Sequence, residues 1–367
     1  MKKGTLTGNV CYTNQRMAGT PGGADVRWTA RKEEDCTMRG IQKRLLVGVM
    51  ILALGLTALV VPSVDVSATQ TSADWMAEVD GETMLSSLSI PGTHDTCTQY
   101  VGMSYIFQCQ DTGVSEQLEN GYRYLDLRLV IEEKDEEQTL VIKHNFSNCK
   151  TGRWPWSKHL YLEDVLEDVY EFLEEHPTET VILCMKAENS EDDVAQVQEL
   201  LYQQIEQQEQ QWYLANEIPM LEDVRGKIVL ATRFEDKMGV GEDRAGLCFG
   251  WTDQGDKTVV DVPYALSMIN DTSALWVQDR YNYDTADKLD AIVDDLENCQ
   301  AADDTFSLNF TSTSGSGSIG HPKKYASAIN AYLLDYDWQQ GTCYGIVIVD
   351  FATEELAQCI YQTNDTN

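Results

Sequence analysis

The sequence is poor in positive charge. Its 367 residues carry 27 Lys and Arg against 60 Asp and Glu, a formal net charge of −33 at neutral pH. A surface of that sign repels nucleic acid and strongly anionic lipid, so any anionic ligand has to be received by a local basic pocket. Zinc-site spacing is absent: the ten Cys include no CxxC pair, which argues against a structural zinc site. No internal repeat is visible. Nor does any cluster of three or four carboxylates stand out where a hard cation would need its oxygen ligands.

Long apolar runs are scarce too, and the one present is placed at Leu45–Val61. Arg39, Lys43 and Arg44 precede it and the small residues Val66-Ser67-Ala68 follow, the layout of a secretory signal over 38–68 cleaved after Ala68. Residues 1–37 lack apolar periodicity, and signal peptides begin close to their charged region, so Met38 is the expected translation start and residues 69–367 one catalytic domain. An uncleaved anchor is the alternative, although 17 residues fall short of the roughly 20 that span a bilayer. The expectation is an extracellular protein. Eight Cys remain after cleavage, an even number compatible with disulfides, while Cys184 sits in an apolar run suited to simple burial.

Eight short runs have strand composition: 88–94, 124–130, 139–145, 180–186, 227–233, 273–279, 305–311 and 345–351. They are nearly continuously apolar, as strands covered on both faces are. Between several of them lie helical patterns. Residues 162–175 place Leu162, Val165, Leu166, Val169, Phe172 and Leu173 on one face, and 191–213, 285–299 and 322–334 behave alike. Strands alternating with helices imply parallel pairing. The expected fold is therefore α/β, a single irregular (β/α)8 TIM-like barrel, with an open α/β sheet as the runner-up. Closure is expected to be imperfect, because EEKDEEQ (132–138) is too short for a crossover helix and predicts a hairpin or an irregular edge. The stretch 312–320 (STSGSGSIG) reads as a loop.

In such a barrel the chemistry sits at the C-terminal ends of the strands. Those ends carry His94 and Asp95, then Asp126 and Arg128, His144, Lys186 and Glu188, Arg233, Asp279 and Tyr281, and Asp350. Burying any one alone is costly; converging at one mouth they neutralise each other and can hold a charged polar ligand. Asp126 and Arg128 are two apart on a strand and face the same way. Two His with several basic groups point to phosphate chemistry by acid/base catalysis without a required metal. Taken singly, each residue has a plainer reading: a hydrogen-bonded strand-end His, an Asp126–Arg128 ion pair, a loop cap at Asp350. His159, His176 and His321 fit loop or capping roles.

The segments LSSLSIPGTHDT (85–96), QLENGYRYLDLRL (117–129), LVIKHN (140–145), HPTETVILCMKAE (176–188), VRGKIVLATRF (224–234), WVQDRY (276–281), LNFTS (308–312) and GIVIVDF (345–351) resemble the bacterial phosphatidylinositol-specific phospholipases C of the X-domain superfamily. The resemblance runs in order over about 75–360. It implies cleavage of phosphatidylinositol to diacylglycerol and inositol 1,2-cyclic phosphate, with glycosyl-phosphatidylinositol anchors as a further substrate. By it, His94 is the general base, His144 the general acid, and Arg128 the phosphate contact. Asp350 orients His94, Asp95 pairs with Arg128 on the leaving-group side, and Asp126 is its companion. Lys186, Glu188, Arg233, Asp279 and Tyr281 would bind the inositol.

The resemblance also implies no metal and no cofactor, since Arg128 stands where calcium-using relatives place metal ligands; Asp95, Asp126 and Glu188 are the residues that speak for a cation instead. The partner is membrane phosphatidylinositol met at an interface; no nucleic acid and no obligate protein partner are indicated. Two departures are visible. Cys97 follows the THD motif and suggests a disulfide with Cys109. Residues 100–107, where the family has an interfacial helix, offer Tyr105, Ile106 and Phe107 but no Trp; Trp154 and Trp156 are the candidate aromatic anchors. The competing functions are a metal-dependent glycerophosphodiester-type phosphodiesterase on a similar barrel and a non-catalytic inositol-lipid binding module.

Overall fold

A computed structural model describes residues 71–189, 194–234, 246–255, 265–316 and 320–364, with Cys11–Tyr12 and Ala30–Arg31. The chain divides into two compact units, Met1–Val66 and Ser67–Asn367. In the first, Cys11–Tyr12 pairs antiparallel with Ala30–Arg31. The expected signal segment 38–68 lies outside the described residues. Among the described residues no helix is long and apolar enough to cross a membrane.

The second unit is built on strands β1 (Ile90–Thr93), β2 (Tyr124–Lys134), β3 (Glu137–His144), β4 (Val181–Ala187), β5 (Ile228–Thr232), β6 (Leu247–Cys248), β7 (Ala265–Met268), β8 (Ala274–Gln278), β9 (Thr305–Phe310) and β10 (Ile346–Val349). Its helices are α1 (Ser104–Phe107), α2 (Val114–Glu119), α3 (Leu162–Glu175), α4 (Val194–Ile205), α5 (Leu221–Val224), α6 (Thr285–Glu297), α7 (Pro322–Leu334) and α8 (Glu354–Tyr361). The sheet order is β6-β5-β4-β2-β1-β10-β9-β8-β7. Along this order every neighbour from β6 to β8 is parallel, and β7 alone in it is antiparallel, on β8. Among the described residues no hydrogen-bonded pairing joins β6 to β7 or β8. The eight-stranded parallel wall is therefore present but open along one seam.

The expected third stave is not a stave. β3 pairs antiparallel with β2, from Leu129↔Ile142 to Lys134↔Glu137, because the short turn at Asp135 and Glu136 leaves no length for a crossover. Both turn residues adopt positive φ, 53° and 71°. The place of a stave goes instead to β6, whose two residues are too few to stand out in the sequence.

β2 explains where β3 arrives. Leu129 pairs with Ala187 of β4 and with Ile142 of β3, so these two strands flank opposite edges of β2. On the β3 edge, β1 has already ended, its last partners being Gly92↔Tyr124 and Thr93↔Leu125. β3 fills the edge that β1 vacates and runs back down toward the end of β1. His144, its last residue, thus meets His94, the residue after β1.

The two-residue period of the strands sorts side chains into layers. Tyr124, Ile182, Cys184, Val229 and Ala231 join the cluster inside the wall. The alternate residues Leu125, Leu127, Leu129, Leu183 and Met185 join a second cluster with Leu162, Val165 and Leu166 of α3. All six apolar positions predicted for α3 are buried. A Cβ at Gly92 would lie 3.0 Å from the Tyr124 ring and 3.1 Å from Ile348, so glycine there admits the tyrosine to the interior. Continuing the inward register upward gives Gly92 to His94, Tyr124 to Asp126 and Arg128, Cys184 to Lys186 and Glu188, Ala231 to Arg233, Val277 to Asp279, and Ile348 to Asp350. These six staves each end their apolar layer on a charged or titratable residue.

Candidate active site

His94 is held from two sides. Its Nδ1 donates to Asp350 Oδ1 at 2.8 Å. Its Nε2 lies 3.2 Å from Asp95 Oδ2 and 3.1 Å from Arg128 Nη2. Burial opposes charge on the ring, but the Asp95 and Asp350 carboxylates outweigh it and raise the His94 pKa to about 9. His144 donates from Nδ1 to the Phe107 carbonyl at 2.8 Å, which leaves Nε2 facing Asp95 Oδ2 at 3.3 Å. The two imidazole rings stand 6.4 Å apart and nearly perpendicular. One carboxylate oxygen thus lies between the Nε2 atoms of both histidines.

Arg128 collects the acids. Its Nε approaches Asp95 Oδ1 at 2.8 Å as an ion pair without an aligned hydrogen bond. Nη2 lies 3.5 Å from Asp126 Oδ2, and Nη1 donates to Glu188 Oε2 at 3.3 Å. Burial opposes its charge, yet Asp95, Asp126 and Glu188 hold the guanidinium well above the usual arginine range. Burial would raise the Asp95 carboxyl, but Arg128, His144 and His94 together keep it far below the usual carboxylate range. Asp95 also sits at φ 43°, a left-handed backbone that is strained for a non-glycine residue. That turn swings its carboxylate back under the two rings.

The remaining predicted residues form a second, looser group. Glu188 is shared: its Oε1 accepts from the Asn145 backbone at 2.7 Å. Burial, with Arg128 and Arg233 beside it, holds the Lys186 ammonium below the usual lysine range. Arg233 stacks its guanidinium 3.6 Å over the Trp251 ring, and Trp251 Nε1 donates to Asp279 Oδ2 at 3.2 Å. Trp251 also meets Phe310, which in turn abuts His94 at 6.2 Å. Tyr281 is engaged by its hydroxyl donating to Asp253 Oδ1 at 2.7 Å; burial and Asp253 push its pKa up to about 12.

Three residues escaped the sequence reading. Gln110 is fully buried and donates through Nε2 to the carbonyls of His94 (2.9 Å) and Val349 (2.8 Å), while its Oε1 accepts from Ala352 N (3.0 Å). It ties the strand end bearing His94 to the one bearing Asp350. Trp251 lies in a stretch with no strand pattern, so nothing local marked it. Lys288 is fully buried on α6 and donates to Gln278 Oε1 at 2.9 Å, with burial bringing its pKa down to about 7. A signal for it existed: Lys288, Ile292, Asp295 and Leu296 share one face of the helix, and charges on an apolar face indicate a buried polar contact.

The disulfide expected between Cys97 and Cys109 is not formed; the eight Cys from Cys97 to Cys359 are all free. Cys109 points instead at the acid cluster, its Sγ 3.9 Å from Asp95 Oδ2 and 3.9 Å from His144 Nδ1. Burial, with Asp350 and Asp95 nearby, drives its thiol well above the usual range. Two groups of three His, Cys, Asp or Glu lie close enough among the described residues to share an ion: His94, Asp95 and Cys109, and Glu119, Glu175 and His176. In the first, a thiol that resists ionisation is a poor ligand, and Asp95 is already engaged by Arg128. His159, His176 and His321 lie apart: His159 bonds Glu132, His176 ends α3 and bonds Asp74, and His321 precedes Pro322 at the start of α7.

Residues 84–234 match the family described as phosphatidylinositol-specific phospholipase C, X domain. The chain is 28% identical over 313 residues to a 1-phosphatidylinositol phosphodiesterase of Listeria monocytogenes, covering 81% of this chain and 86% of the relative. A protein of the same description from Staphylococcus aureus is 25% identical over 302 residues, covering 78% and 90%. Among solved structures, phosphatidylinositol-specific phospholipase C from Listeria monocytogenes superposes with a TM-score of 0.62 at 27% identity, over 81% of this chain and all of that one.

Proposed function

The chain belongs, through residues 84–234, to the phosphatidylinositol-specific phospholipase C X-domain family, and on that premise we propose that it cleaves phosphatidylinositol to diacylglycerol and inositol 1,2-cyclic phosphate. The observation that carries the reading is the convergence of His94 Nε2 and His144 Nε2 on Asp95, beside Arg128, with each Nδ1 held by its own acceptor. Those Nδ1 contacts leave both Nε2 atoms for proton transfer. His94 Nε2 takes the proton of the inositol 2-hydroxyl as its oxygen attacks phosphorus. His144 Nε2 gives a proton to the glycerol oxygen as the P–O bond breaks. Arg128 stabilises the charge growing on the non-bridging oxygens. Water can then open the cyclic product with the two imidazoles in exchanged roles, which restores both protonation states.

Asp350 and Asp95 play different parts in this scheme. Asp350 fixes the tautomer of His94 and favours its imidazolium once the proton has arrived. Asp95 neutralises Arg128 and borders both Nε2 atoms. Lys186, Glu188, Arg233, Asp279 and Tyr281 supply donors and acceptors suited to a polyol, and Trp251 adds an aromatic face. Glycosyl-phosphatidylinositol anchors present the same phosphodiester and belong to the proposed substrate range.

The competing metal-dependent phosphodiesterase needs carboxylates free to hold a cation, whereas Asp95, Asp126 and Glu188 all turn to Arg128. A binding module has no use for a paired base and acid. Release of inositol phosphates from phosphatidylinositol vesicles in excess chelator tests the proposal. Wild type is expected to be active, and His94→Ala and His144→Ala each to lose on the order of 10² to 10⁴ in rate. Full activity in either variant, or strict metal dependence, overturns it. Export through the 38–68 segment is part of the same proposal, supported by the sequence layout; N-terminal sequencing of protein from the culture medium should find Thr69 first.

A further inference from the structure

The chain after His144 builds a small structure that the proposed chemistry does not use. Asn145 and Phe146 turn the chain, Ser147–Asn148 pairs back on Lys143–His144, and Lys150 bridges to His159. Thr151 N donates to Lys158 O at 3.1 Å and Ser157 N to Trp154 O at 2.9 Å, closing a tight hairpin around Pro155. Its base is tied down, Asn148 Nδ2 donating to His159 Nε2 at 3.0 Å and His159 Nδ1 to Glu132 at 2.9 Å. At the tip, Trp154 and Trp156 stack at 5.3 Å and 7° while remaining 63% and 77% exposed. Two indoles fixed against each other in water forfeit much of the burial that makes Trp stabilising.

The charge pattern here is the reverse of the whole chain. Residues 141–159 contain Lys143, Lys150, Arg153 and Lys158 and no Asp or Glu, in a protein whose formal net charge is −33. None of the four is held in an ion pair among the described residues. Phe146, exposed and 5.0 Å from Phe107, adds a further exposed aromatic ring two residues after His144. The Ser147–Asn148 segment runs antiparallel to β3 and hence in the direction of β2, outward from the mouth. Asp135 and Glu136 at the neighbouring β2–β3 turn oppose the attraction. Screening over about 8 Å at physiological salt confines the favourable field to the hairpin itself.

We propose that the hairpin 150–159, with its stacked Trp154 and Trp156 and its Lys150, Arg153 and Lys158 stem, is a docking element for an anionic lipid bilayer and sets the mouth against the membrane. The proposal deepens the phosphatidylinositol-cleaving reading and rests on it. Indoles belong at the headgroup level of a membrane, and each Lys or Arg near an anionic surface adds to the attraction. The bilayer is favoured over a protein partner because exposed indoles flanked by Lys and Arg, with no Asp or Glu over 141–159, match the headgroup layer of an anionic membrane.

The full chain is tested for co-sedimentation with vesicles of phosphatidylcholine alone and of phosphatidylcholine mixed with phosphatidylglycerol, while activity is read in parallel on a short-chain phosphatidylinositol dispersed as monomers. Wild type should partition on the order of tenfold or more onto the mixed vesicles, with a blue shift of Trp fluorescence. The Trp154→Ala/Trp156→Ala double variant should lose about tenfold in partition, and Lys150→Glu/Arg153→Glu/Lys158→Glu should lose the preference for phosphatidylglycerol. Both should keep wild-type activity on monomers, which also shows that they fold. Equal partition of wild type onto the two vesicles, or unchanged partition of either variant, overturns the docking assignment. Absence of activity on monomers in wild type instead strikes the active-site reading, so the two failures are distinguishable.

Discussion

At the scale of single residues the site depends on opposing charges held at short range. His94 is protonated in the free protein up to about pH 9 because Asp95 and Asp350 outweigh its burial. Its folded-state pKa lies above the ordinary value near 6.5, so its contribution to stability is fully present below that value and is lost as pH rises through about 9. As the proposed base, His94 must be neutral to act, and kcat/KM reports the free enzyme. The rising limb of the kcat/KM profile is therefore expected on the alkaline side of neutrality. Asp350→Asn removes one of the two carboxylates and should move that limb to lower pH while lowering the maximal rate; a pH–rate profile on a soluble substrate measures both. An unmoved limb would remove Asp350 from its orienting role.

At the scale of elements, the decisive feature is the ending of β1 and the overrun of β2. β1 stops at Thr93 and β2 continues to Lys134, and the edge left free is taken by β3, which delivers His144. Gln110 holds the ends of β1 and β10 together through three buried hydrogen bonds. Gln110→Ala should cost about 1–3 kcal/mol by leaving the partners of those bonds unpaired. Loosening the His94–Asp350 geometry should also lower kcat by about 10- to 100-fold with little change in KM. A shifted His94 limb in the pH profile separates this positioning role from mere destabilisation. If the variant loses stability but keeps wild-type kcat and pH profile, Gln110 is only a core residue.

At the scale of the whole molecule, the two ends of the barrel divide the work. The mouth gathers charge for chemistry, while the opposite end buries it for stability. There Arg123, just before β2, bonds Glu179, just before β4, at 2.9 Å, and both side chains are fully buried. Arg123 also donates to the carbonyls of Leu118, Tyr122 and Ala73, and Glu179 accepts from Met76 N. The segment Ser72–Glu78 is pinned by this pair to the floor of the barrel. Glu179→Ala strands a buried guanidinium and should cost about 3–5 kcal/mol, seen as an earlier denaturation midpoint, with kcat of the remaining folded protein unchanged.

Much of this was legible in the chain. Strand runs, the α3 face and the inward pair Asp126 and Arg128 follow from periodicities of two and 3.6, which depend only on local backbone geometry. The short link 132–138 foretold the β2–β3 hairpin because a dozen residues are needed to cross a sheet. The tertiary structure alone decided which strands neighbour each other, and so which strand ends meet. β6 was invisible because two residues carry no period; Trp251 and Gln110 were invisible because their partners lie on other elements. Cys97, directly after the THD motif, suggests a rim disulfide with Cys109, yet their places in the packing leave both thiols free. The sequence by itself determined the elements and the kind of groups at their ends, since those are local properties. That His94, His144 and Arg128 share Asp95 was decided only by contacts between distant segments, which no local pattern encodes.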